Sequence, residues 1–396
     1  MLAGVNVALC VSGSIAAVKT TELVHELRRR GATVRAVMTE SAQGIVHPWS
    51  VEFATENPVV TEITGNIEHV ELCGREGWAD VLLIAPATAN TVGKIGAAID
   101  DTPVTTCATT ALGSGVPVVI APAMHEPMYD HPGVTDAIAR VESWGVRFVP
   151  PRIEEGKAKI ATGDAICLTT ARATGERPLD GRTVIVTSGA TAERIDPVRV
   201  LTNRASGRTG RAIARACYVR GAEVTLVHGS LDASPGSDSG SSGHDVPYAT
   251  AKRVESAAEM LAAVDESAGD ADALVSAAAI SDYTTDTAGE KIRSGGDLSL
   301  DLEPTPKLLD TVRAEYPDLA IVGFKAETSG DDEAMIGKAR DLLERVELEF
   351  VVANDASVMG GDETRALFVR GGEVSVFTGS KDDLGFRVAD GLAATL

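Results

Sequence analysis

The stretch "VNVALCVSGSIAAVKTTELVHELRRRGATVRAVM", Val5–Met38, decides the fold. It begins with an apolar run, Val5–Val11, that breaks at the small residues Ser12, Gly13 and Ser14. A helical pattern follows over Ile15–Arg30, with Val18, Leu23, Val24 and Leu27 at helix spacing, and Gly31 stops it before a second apolar run at Thr33–Met38. Apolar runs of this kind suit strands buried on both faces, and a helix between two of them suits a parallel pair.

The same alternation continues outward through "ADVLLIAP" (79–86), "VPVVIAPA" (116–123) and "VRFVP" (146–150). "ARATGERPLDGR" (171–182) loses the periodicity and reads as a linker, after which the pattern restarts. "TVIVTSGAT", a helix from about Ser206, "EVTLVHG", "ADALVSAAAI", "LAIVGFKAET", a helix around Glu333–Arg345 and "EFVVAND" follow one another. "RALFVR" and "EVSVFTG" predict a hairpin before a last helix. The expectation is an α/β protein of two doubly wound, Rossmann-like domains, 1–172 and 179–396, which suits a chain of 396 residues. "SLDASPGSDSGSSGHD" (230–245) has nothing apolar to bury, predicts a surface loop and is given no chemistry.

The net charge of −21 disfavours nucleic acid and anionic membrane as partners, because both would be repelled over most of the surface. No stretch is apolar enough to span a bilayer and no basic leader precedes the first strand, so a soluble, cytoplasmic protein is expected. Dispersed acid, more Arg than Lys and 4% aromatics resemble the composition of proteins from salt-loving organisms, here a halophilic archaeon. Cys10, Cys73, Cys107, Cys167 and Cys217 have no paired or metal-ligand spacing and are expected as core residues.

Open α/β sheets bind ligands at the carboxyl ends of their strands. Four such ends in the first half carry small or polar residues: Ser12-Gly13-Ser14, "MTESA" (38–42) with Thr39, "APATANT" (85–91) with Thr88, and "APAMHEPMY" (121–129) with His125. A small-residue turn opening a helix suits a phosphate, and the absence of GxGxxG favours a mononucleotide such as FMN over NAD. "IEHVEL" (67–72) adds His69, which by spacing alone reads as an ordinary solvated residue. In the second half "VTSGATAERIDPVRVLTNRASGRTGRAIA" (186–214) joins a strand-end turn, "IDPVR" and a basic, small-residue helix start that suits an anion.

Together these motifs resemble the flavin-dependent cysteine decarboxylases in the first half. Over nearly its full length the chain resembles the bifunctional phosphopantothenoylcysteine decarboxylase/phosphopantothenate-cysteine ligases of coenzyme A synthesis, in a form like their archaeal branch. The resemblance implies a flavodoxin-like FMN domain followed by a nucleotide-binding ligase domain. It implies that His69 is required for decarboxylation, that Ser12, Gly13, Ser14, Thr39 and Thr88 surround FMN, and that His125 stands where the family has an asparagine holding the substrate carboxylate. A flap cysteine of the bacterial members is missing from "PRIEEGKAKIATGDAI" (151–166), where Lys157 and Lys159 offer positive charge instead; Cys167 lies beyond it and does not inherit the role.

For the ligase half it implies that Asn203 contacts the acyl-nucleotide intermediate, that Ser276, Ala277, Ala278 and Asp282 ("SAAAISD") and Phe324 lie at the nucleotide, and that Lys291 is the key lysine of "EKIRS". Lys338 keeps a further lysine, whereas Arg293, Ser294 and Leu342 depart from the family pattern. The implied reactions are ligation of phosphopantothenate with cysteine, using CTP and Mg²⁺, then FMN-dependent decarboxylation by a homo-oligomer. ATP or UTP in place of CTP, an FMN enzyme on another substrate such as a prenyltransferase, and a flavin-binding regulatory protein are the other readings.

Overall fold

The computed structural model describes residues 1–230, 246–293, 295, 297–327, 331–355 and 363–396. The expected surface loop at 230–245 lies, from 231 on, outside the described residues, as does Ser294. The chain forms two compact units, Met1–Gly175 and Glu176–Leu396.

The strands of the first unit are β1 (Asn6–Val11), β2 (Thr33–Met38), β3 (Val81–Ala87), β4 (Val118–Pro122), β5 (Met124–His125), β6 (Arg147–Phe148), β7 (Arg152–Glu154) and β8 (Lys157–Lys159). The main sheet is parallel throughout, in the order β2-β1-β3-β4-β6. Its helices are α1 (Thr20–Arg29), α2 (Glu40–Gln43), α3 (Pro48–Thr55), α4 (Glu68–Cys73), α5 (Ala89–Gly96), α6 (Pro103–Ser114), α7 (Glu126–Tyr129), α8 (Pro132–Glu142) and α9 (Gly163–Thr174). The central strand "VLLIAPA" is buried along its whole length, as an apolar run covered on both faces must be. Leu9, Leu82, Leu83, Ile84 and Ile120 are fully buried, each stabilising the fold by about 1.5–3 kcal/mol relative to exposure.

The first helix departs from the sequence pattern at its start. Ile15–Lys19 winds as a 3₁₀ turn capped by Ser14, and the α-helix begins only at Thr20. Val18 is consequently exposed, whereas Leu23, Val24 and Leu27 are buried as expected. Gly31 ends the helix at φ +97, where a Cβ would stand 2.8 Å from the Ala3 backbone.

The second unit carries β9 (Thr183–Gly189), β10 (Ala192–Arg194), β11 (Val200–Thr202), β12 (Glu223–Gly229), β13 (Thr250–Val254), β14 (Ala273–Ser276), β15 (Tyr283–Thr284), β16 (Glu303–Pro304), β17 (Ala320–Glu327), β18 (Phe350–Asp355), β19 (Glu363–Arg370) and β20 (Glu373–Ser380). The large sheet runs β13-β12-β9-β14-β17-β18-β19-β20, parallel from β13 to β18, with β19 antiparallel to β18 and to β20, its partner in the expected edge hairpin. Helices α10 (Arg208–Val219), α11 (Ala257–Ala268), α12 (Leu308–Glu315), α13 (Asp332–Val346) and α14 (Lys381–Ala393) flank it. The helix expected from Ser206 starts at Arg208, and its N-cap is Gly207 in the left-handed region without a side-chain cap. No described helix is long and apolar enough to cross a membrane.

Candidate functional site

In each of the two main sheets the strand order reverses once, and ligand crevices form at such reversals. In the first unit the reversal lies between β1 and β3. Ser12 ties their ends together: its buried hydroxyl donates to the Pro86 carbonyl (2.8 Å) and accepts the Thr88 N–H (3.0 Å). Ser14 donates to the Ala123 carbonyl at 3.0 Å, linking β1 to the end of β4. Thr39 and Thr88 are helix N-caps, accepting from Ala42 and Thr91 N–H. Gly13 is imposed by packing, since a Cβ there would stand 2.3 Å from Ser41 Oγ. The structure thus gathers Ser12, Gly13, Ser14, Thr39 and Thr88 at the carboxyl edge of the sheet, with Ser12 as a strut between two strand ends.

His69 arrives by a different route. Val60 pairs in parallel with Val37, so the chain passes the carboxyl end of β2 before α4 returns it to the amino side, where Asp80 N–H meets the Asn6 carbonyl. His69 is the second residue of α4, and its Nδ1 is buried with no hydrogen-bond partner. A buried imidazole nitrogen left open is costly unless a bound group satisfies it, so His69 fits a flavin or substrate contact.

His125 is exposed in the two-residue strand β5, which pairs with β8 so that His125 faces Lys157 across the ladder. Directly opposed residues share one face of such a ribbon, which brings His125 and Lys157 together. Lys159 is instead drawn to Glu154 (3.1 Å) and Glu155 (2.8 Å). All five cysteines are buried and free, and burial pushes the Cys167 thiol up to about 12, far from a proton donor's range.

In the second unit the reversal lies between β9 and β14. Gly189 and Ser276, at their ends, line an open cleft of about 630 Å³ together with Asn203, Ala277, Ala278, Asp282 and Phe324. The strand-end segment is pinned from β9, as Ala278 N–H donates to Thr187 Oγ1 (3.2 Å) and Ala279 N–H to the Gly189 carbonyl (2.9 Å). Gly207 and Gly210 let α10 press onto β9: a Cβ at Gly207 would stand 2.8 Å from Gly189 N, and one at Gly210 2.6 Å from Ser188 Cβ. Lys291 and Lys338 lie outside the cleft lining.

Sequence reasoning missed several cations that do line it. Among the described residues the lining holds Lys307, Lys325, Arg345 and Lys381, besides Arg204 and Arg208 of the basic helix start already marked in the sequence, and the carboxylates Asp282 and Asp310. Lys307, which pairs with Asp282 at 2.5 Å, ends the proline-bracketed run "EPTPK" (303–307), the one signal that marked it. Among the described residues no three His, Cys, Asp or Glu side chains gather to hold a metal.

The comparisons with known proteins agree with this division. Residues 1–175 match the family described as Flavoprotein, and residues 179–395 that described as DNA/pantothenate metabolism flavoprotein C-terminal domain. The coenzyme A biosynthesis bifunctional protein of Thermococcus kodakarensis is 47% identical over 93% of this chain and 89% of its own. That of Methanocaldococcus jannaschii is 34% identical over 98% and 94%. Among solved structures, the FMN-dependent cysteine decarboxylase SpaF is 30% identical, covers 43% of this chain and 99% of its own, and gives a TM-score of 0.38.

Proposed function

The chain belongs to the family of bifunctional coenzyme A biosynthesis proteins, and from that membership we propose how its two units divide the work. The protein is an FMN-containing decarboxylase and a carbon–nitrogen ligase that joins phosphopantothenate to cysteine and decarboxylates the product to phosphopantetheine. Matches across both halves favour this over a prenyltransferase-like enzyme or a flavin-binding regulator. Decarboxylation is assigned to residues 1–172 and ligation to 179–396.

The placement of the nucleotide is supported by one observation: among the described residues the cleft is lined by six cations and two carboxylates, in a chain of net charge −21. Such a cleft suits a nucleoside triphosphate. Asn203 contacts the activated carboxylate, Ser276, Ala277, Ala278, Asp282 and Phe324 hold the nucleotide, and Lys291 and Lys338 approach its phosphates. CTP is the co-substrate, and Mg²⁺ would supply neutralisation of its polyphosphate charge. The cysteine amine then displaces the nucleotide.

In the first unit Gly13, Ser14, Thr39 and Thr88 hold FMN, which when bound supplies a reversible two-electron sink. His69 orients the cysteinyl thiol and accepts its proton, with the open Nδ1 as support for a ligand contact. His125 contacts the substrate carboxylate, and Lys157 beside it adds positive charge. The protein works in the cytoplasm as a homo-oligomer.

The test of the nucleotide assignment is pyrophosphate release by the purified protein with phosphopantothenate, cysteine, Mg²⁺ and CTP, ATP or UTP in separate reactions. CTP is expected to be fastest. Equal or faster release with ATP overturns that assignment.

A further inference from the structure

The "IDPVR" segment makes none of the contacts assigned so far. It forms the tip of the antiparallel hairpin β10–β11, in which Ala192 pairs with Thr202 and Arg194 with Val200. The Asp196 carboxylate is wholly shielded from solvent and lies 2.9 Å from Arg199. Its Oδ1 accepts the backbone N–H groups of Val198 (2.8 Å) and Arg199 (2.9 Å), which fixes the turn. Its Oδ2 reaches outside the hairpin and accepts the Ile292 N–H at 3.1 Å.

Arg199 closes the ring. One guanidinium nitrogen donates to Asp196 Oδ2 and the other to the Ile292 carbonyl at 3.0 Å, so a single ion pair holds both backbone polar groups of Ile292. Ala288 N–H to the Ile195 carbonyl (2.9 Å) and Thr287 Oγ1 to the Arg194 carbonyl (3.1 Å) tie down the same segment. Lys291 directly precedes Ile292 and is exposed in a stretch without regular structure. At the other end of the hairpin, Asn203 follows β11 and donates to the Ala279 carbonyl at 3.3 Å.

An ion pair with one buried partner is weak evidence of stabilisation, because desolvation of the carboxylate offsets most of the attraction. What this pair does is geometric. We propose that Asp196, acting through Arg199, is the positioning residue for Lys291, so that one hairpin sets both Asn203 and Lys291. This rests on the reading of Lys291 as a cation of the ligation reaction. Fixing an otherwise free segment places the ammonium group before the reaction begins, and misplacement by an ångström lowers turnover severely.

The test is a double-mutant cycle in the full-length protein: Asp196→Asn, Lys291→Gln and the double variant, with ligation kcat and nucleotide KM measured for each. A nucleotide KM near the wild-type value, with an unchanged melting transition of the second unit, reports that this unit remains folded. Asp196→Asn is expected to lower kcat about tenfold or more with little change in KM, and to add no further loss in the Lys291→Gln background. Arg199→Lys, which keeps a cation beside Asp196 but loses the second arm to Ile292, is expected to do the same. Losses that multiply, or an unchanged kcat in both hairpin variants, overturn the inference alone. Full ligation by Lys291→Gln overturns the reading of Lys291, and the inference with it.

Discussion

Lys157 and Lys159 lie two residues apart on one strand and have different surroundings. Lys159 is held by Glu154 and Glu155, whereas Lys157 stands across the ladder from His125. Lys157→Ala is therefore expected to raise the KM for phosphopantothenoylcysteine several-fold, while Lys159→Ala leaves it nearly unchanged; steady-state decarboxylation rates distinguish them. His228 gives a pH dependence. Burial first, then Arg211 and Arg253, hold its imidazole below the ordinary range, and its Nε2 accepts from Arg211 at 3.4 Å. The unfolded chain protonates near pH 6.5 and the folded one only at lower pH, so stability is level above that value and falls as pH drops below it. Melting curves at pH 7.5 and 5.5 should separate more widely for the wild type than for His228→Asn. The placement of Ser12, Gly13, Ser14, Thr39 and Thr88 at strand ends was legible in the sequence, but nothing in it distinguished Lys157 from Lys159, since strand register decides that.

At the level of elements, the contact between α10 and β9 shapes the ligase cleft. Gly207 sits at φ +68 with Gly189 N and His228 Cε1 each 2.8 Å from a would-be Cβ. Gly207→Ala should destabilise the second unit by at least ~1 kcal/mol from the backbone alone, with the steric conflict added. Loss of ligation with retained decarboxylation of supplied phosphopantothenoylcysteine is the outcome to measure. Strands were readable because their apolar runs are continuous, whereas helix starts were not. Ile15–Lys19 shares the helical pattern but winds as a 3₁₀ turn, and the small residues before α10 serve close packing rather than side-chain capping.

For the molecule as a whole, a net charge of −21 is a store of self-repulsion that dissolved salt screens. The melting temperature is expected to rise from low to molar KCl, and a fall over that range would contradict adaptation to salt. The two-unit architecture was legible because the strand–helix alternation restarts in the second half, although α9 runs on through Thr174 into the stretch read as a linker. The cationic cleft was not, because its lysines and arginines come from separate segments that only folding brings together. The division of chemistry between the units is tested most directly by mass-spectrometric product analysis of wild type and His69→Asn, each supplied with FMN, Mg²⁺, CTP, phosphopantothenate and cysteine. Wild type should yield phosphopantetheine, and His69→Asn should stop at phosphopantothenoylcysteine with its decarboxylation slowed at least about a hundredfold. Phosphopantetheine formed by His69→Asn at the wild-type rate, or none formed by the wild type, would contradict it.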